Sequence, residues 1–131
     1  MNITYNEATQ ILNASIEKAK HLGIAVSIAV IDTGGHLVAF ARLDSLYGVI
    51  DFALKKARTA AMFGVDSEVM GAIISGAEMH AYGMINSNGG LLTIPGGVVL
   101  KNKDGNIIGA VGCSGGTAEQ DKEIAAAGAD K

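Results

Sequence analysis

At 131 residues, with 49% hydrophobic and 18% charged residues, the chain has the length for one domain around a single core. Its net charge of −3 and scattered lysines exclude nucleic acid as an expected partner, and the apolar excess points to surface kept for self-association or a ligand. Met1–Glu7 lacks the basic start and apolar run of a secretory signal, and Ile24–Ile31 and Ile107–Cys113 are too short to span a bilayer. With Cys113 the single cysteine, no intramolecular disulfide forms, so a cytoplasmic protein with no membrane partner is expected.

The first predicted element is a helix over 4–22. Thr4-x-x-Glu7 has capping-box spacing, Ala8, Ile11, Leu12, Ile16 and Ala19 recur at helical intervals, and Gly23 ends the pattern. Ile24–Asp32 is apolar on both faces, as a covered strand would be. Thr33-Gly34-Gly35 supplies a tight turn, and His36–Arg42 returns as its partner. Val49–Phe63 is predicted as a helix with an apolar stripe through Ile50, Ala53, Leu54, Ala57 and Ala60, while Asp51, Lys55 and Arg58 share another face. Asp66–His80 reads as a further helix capped by Asp66 or Ser67, although Gly71 and Gly76 weaken it. Short strands are expected at Leu91–Ile94 and Val98–Lys101, then a hairpin at Asp104-Gly105 and a last strand, Ile107–Ser114. Thr117-x-x-Gln120, a second capping box, opens a helix to Gly128. Hairpins demand antiparallel pairing, so the expected fold is α/β of the α+β type, one domain over 1–131 with an antiparallel sheet of about five strands flanked by helices.

Three blocks carry a family resemblance: Val26–Asp44, Ala53–Ala61, and Pro95-Gly96-Gly97 continuing through Ile108–Gly116 to Glu119-Gln120-Asp121. In that order and spacing the chain resembles the GlcG/HbpS family, which includes the carboxy-terminal domain of PduO-type proteins. The resemblance implies a profilin-like or PAS-like fold that assembles as a homo-oligomer, a dimer or larger. It implies heme binding, in storage, transfer, degradation or redox sensing. PduO-type relatives are tied to corrinoid and cobalamin-dependent metabolism, which makes a corrinoid the alternative ligand. The rival reading is an enzyme or accessory factor acting on a small carboxylate or a corrinoid.

Heme needs an axial donor, an apolar slot and cations for its propionates. His21, at the end of the first helix, is the candidate iron ligand, set against the simpler role of a cation at a helix terminus. His36 sits in the Gly-Gly-His-Leu turn and is a cofactor-binding candidate; His80 falls near a helix end. Lys55 and Arg58, three residues apart, form either a solvated ion-pair face with Asp51 or an anion-binding corner for a propionate or other carboxylate. Cys113 in an apolar strand reads as packing, all the more because the family pattern commonly has valine there. Ser114 lacks a nucleophile-elbow spacing, and no catalytic residue is assigned.

Overall fold

The computed structural model describes residues 1–76 and 78–130. Its elements are α1 (Tyr5–Leu22), β1 (Ser27–Asp32), β2 (Leu37–Arg42), α2 (Gly48–Phe63), α3 (Ser67–Ile74), β3 (Gly97–Lys101), β4 (Ile107–Ser114) and α4 (Ala118–Ala129). Short 3-10 stretches lie at Met79–Met84 and Ser87–Gly89. Both expected capping boxes form. Thr4 accepts from the Glu7 amide while Glu7 accepts from that of Thr4, and Thr117 and Gln120 repeat the exchange. Gly23 closes α1 in the left-handed region at φ 71°, where a side chain would be strained.

The sheet order is β2-β1-β4-β3, and each neighbouring pair is antiparallel. Strand alternation divides the core in two. Ile28, Val30, Val111 and Cys113 face α1 and α4. Ile31 and Ala110 face the other way, under Ala57 and Ala60 of α2. Helix α2 lies close on the sheet because Gly112 and Gly97 are bare. A β-carbon on Gly112 would run into the Ala53 carbonyl, and one on Gly97 into that of Lys56.

Two expectations need correction. The sheet has four strands, not five, because Leu91–Ile94 joins no ladder. Its polar groups are bound elsewhere: the Leu91 amide donates to the Ile85 carbonyl, the Leu92 amide to Thr59 Oγ1, and Ser67 Oγ donates to the Ile94 carbonyl. The helix expected over 66–80 ends at Ile74, where Ser75 Oγ donates to the Gly71 carbonyl at 2.7 Å. Asp66 occupies the cap position, but its carboxylate accepts the Val99 amide at 3.0 Å instead of capping. Residue 77 of that expected helix lies outside the described residues, and His80 sits in the first 3-10 stretch. No helix among the described residues is long and apolar enough to cross a membrane.

Candidate functional site

β2 is an edge strand, and its Leu37 and Phe40 pair with Ile31 and Ala29, which places both on the α2 side of the sheet. Helix α2 packs over β4, β1 and β3 and leaves this part of β2 uncovered. The result is a groove of about 390 Å³ lined by Leu37, Phe40, Tyr47, Ile50, Asp51 and Leu54. It is apolar but for Asp51 at its edge.

A polar recess of about 400 Å³ adjoins it, lined by Gly34, Gly35, His36, Arg58, Met62 and Asn88. The two hollows are neighbours by covalent connection and helical pitch. His36 of one precedes Leu37 of the other, and Leu54 stands one turn before Arg58. Each lies within the roughly 300–1,000 Å³ typical of small-molecule sites.

The recess is held by the β1–β2 turn. Asp32 Oδ1 accepts from the backbone amides of Gly34 and His36, each at 2.9 Å, and lies 3.2 Å from His36 Nδ1. The bond from the His36 amide leads in holding the Asp32 carboxyl below the ordinary carboxylate range. The His36 side chain is 80% exposed, so its ring is open to a ligand. Arg58 Nε donates to the Gly35 carbonyl at 3.0 Å, which ties α2 to the turn. Lys55 reaches toward Gly90, close to Asn88, and pairs with Asp51 only at 3.9 Å.

The structure therefore brings His36 and Arg58 to one recess, while Lys55, three residues before Arg58 on α2, is not among the residues that line it. It does not bring His21 there. That residue is exposed in the last turn of α1, on the opposite face of the sheet, and the hairpin turn stands at the far end of β1. Six strand residues separate those ends by about 20 Å. His80 is also exposed, with its amide bonded by Glu78 Oε1 at 2.9 Å. Among the described residues no group of three His, Cys, Asp or Glu side chains is placed to hold a metal ion. A larger hollow, about 580 Å³, lies between the start of α1 and the β3–β4 turn, but it mixes Glu7, Lys101, Lys103 and Asp104 and holds no imidazole.

Sequence reasoning missed two contributors. Asp32 was legible as the partner of His36 in the spacing Asp-Thr-Gly-Gly-His, since a carboxylate commonly bonds the backbone two and four residues on in such a turn. Asn88 carries no comparable signal, because the loop reaches the corner only through tertiary packing.

A family model described as "Haem degrading protein HbpS-like" matches residues 3–130, and the chain belongs to that family. It is 37% identical to the protein GlcG of Escherichia coli K12 over 116 residues, covering 82% of this chain and 77% of GlcG. It is 34% identical over 128 residues to the corrinoid adenosyltransferase PduO of Citrobacter freundii, covering 95% of this chain but only 37% of PduO. Among solved structures, a double mutant of HbpS from Streptomyces reticuli superposes with a TM-score of 0.87 at 26% identity, covering 99% of this chain and 86% of that one. A crystal structure described as a PduOC:heme complex gives 0.83 at 25% identity, covering 99% and 94%.

Proposed function

We propose that the chain binds heme or a related tetrapyrrole between β2 and α2, with the ring against the apolar groove and the propionates on Lys55 and Arg58. The observation that carries this is the adjacency of an apolar slot to a recess holding one exposed imidazole and the Arg58 guanidinium, with Lys55 three residues before Arg58 on the same helix. A tetrapyrrole with two carboxylates presents the complementary pair of surfaces. Family membership and the heme named with the PduOC structure support the same ligand. Bound iron would supply redox and ligand-exchange chemistry. Within one protomer His36 is the imidazole within reach of it. His21 serves as the iron ligand only from another copy of the chain, across an interface. Tyr47 of the groove lining and its neighbours in sequence Leu46 and Phe52 are exposed, and they are the surface we assign to a homo-oligomer. An open corner suits a site that loads and unloads its ligand, so storage or transfer is the role we assign.

Hemin titration of the purified protein tests this. A saturable Soret shift is expected, and Arg58→Ala should weaken binding by about 1 kcal/mol, roughly fivefold, as for an exposed ion pair. His36→Ala and His21→Ala identify the iron ligand by which of them alters the bound spectrum. No saturable complex would discard the function, and an unchanged spectrum in both variants would discard the ligand assignment.

A second reading is favoured by the recess alone. Arg58 beside an Asp32-held imidazole also suits an enzyme or accessory factor that grips a small carboxylate, or the side-chain carboxylates or amides of a corrinoid. Saturable uptake of a small carboxylate without affinity for hemin would support it.

A further inference from the structure

We infer that Asp32 is a positioning residue which, with the bare Gly34, holds His36 as its Nδ1–H tautomer and leaves Nε2 open to the Arg58 recess. Only the last step, contact of Nε2 with a tetrapyrrole, rests on the function proposed above.

An ionised carboxylate only accepts hydrogen bonds, so the ring nitrogen 3.2 Å from Asp32 Oδ1 must be the donor. Asp32 Oδ1 already accepts the amides of Gly34 and His36, each at 2.9 Å, so this oxygen presents lone pairs to the ring. A neutral imidazole carries one N–H, which makes Nε2 the acceptor. Gly34 provides the space. A β-carbon there would stand 2.8 Å from His36 Cε1 and 2.9 Å from Nδ1, although the backbone of Gly34 lies outside the left-handed region and would itself accept a side chain. Absence of a side chain at 34 is therefore needed by the ring and not by the turn.

The second hairpin supplies an internal control. Asn102 Oδ1 accepts the amides of Asp104 and Asn106, each at 3.0 Å, in the same two-and-four pattern that Asp32 makes with Gly34 and His36. Gly105 has the same φ of 84° as Gly35. That turn is built with a neutral amide at its first position and a side chain, Asp104, where the first has Gly34. The carboxylate and the bare glycine are what the first hairpin adds: one contacts the imidazole and the other leaves room for it. Arg58, bonded to the Gly35 carbonyl through Nε, keeps its terminal amines for the ligand and takes its position from the same turn. A carboxylate behind the ring of a ligating histidine fixes tautomer and orientation, and its loss commonly costs about 10–100-fold in affinity.

Nitrogen-15 spectra of the His36 ring in the ligand-free protein at alkaline pH read the tautomer directly. The wild type should show protonated Nδ1 and unprotonated Nε2. Gly34→Ala should displace the ring toward a tautomer mixture with hairpin amide signals retained, and weaken hemin by about tenfold. Asp32→Asn, which keeps the turn as Asn102 does, should move the ring signals the same way. A wild-type ring protonated at Nε2 overturns the inference. So does Gly34→Ala with ring signals and hemin affinity both unchanged. If the ring is Nδ1–H but hemin forms no saturable complex, the positioning is supported and the tetrapyrrole reading falls.

Discussion

Lys56 shows at single-residue scale what the fold asks of its side chains. It is 1% exposed, and its Nζ donates to the Cys113 carbonyl and to Asp121 Oδ2, both at 3.0 Å. Asp121 Oδ1 in turn accepts the Gly116 amide at 2.9 Å. Room for the ammonium comes from Gly96, where a β-carbon would lie 2.9 Å from Nζ. One buried pair thus joins α2, the end of β4 and the first turn of α4. Desolvation offsets much of the attraction between such charges, but removing one partner strands the other. Lys56→Met should therefore cost about 3–5 kcal/mol in urea unfolding. Changing Asp121 to Leu as well should recover part of that loss, since residues in one network do not add. A double variant no more stable than the single one would show that the pair's bonds to the turns matter more than its charges.

At the scale of elements, α2 is the piece on which the site depends. Its seat on Gly112 and Gly97 sets how far it stands from β2, and so the width of the groove. Gly112→Ala should overpack this contact and cost about 1–3 kcal/mol, seen as a lower melting temperature. Gly48→Ala at the start of the same helix meets nothing within 4 Å and should change stability little, which separates steric displacement from helix propensity. Capping boxes, hairpin turns and apolar spacing made α1, α2, α4 and both hairpins readable from sequence, because the interactions that specify them are local. Leu91–Ile94 misled for the opposite reason. Its apolar run suits a strand, but its amides and carbonyls find hydroxyls on α2 and α3 that no local pattern announces. The site divides in the same way. Residue type and spacing singled out His36, Lys55 and Arg58. That His36 and Arg58 share a recess, and that His21 does not reach it, depends on which strands α2 covers.

The whole molecule is three layers, with α1 and α4 on one side of the sheet and α2 with α3 on the other. The sheet is asymmetric in cover, and the exposed imidazole of His36, Arg58 and the open edge strand gather at β2. At the opposite edge the chain enters β3 from the Leu91–Ile94 run, which joins no ladder yet has its ends pinned by hydroxyls. Thr59 takes the Leu92 amide at 3.1 Å and Ser67 takes that of Gly97 at 2.9 Å. A consequence follows for solvent exchange of the backbone. The Leu92 and Gly97 amides should be shielded from deuterium although their acceptors are side-chain hydroxyls, with a protection that one oxygen atom can remove. Ser67→Ala should let deuterium in at Gly97 by local opening while the β1–β4 amides stay protected, and equal loss along β4 would mean that the hydroxyl guards the sheet as a whole.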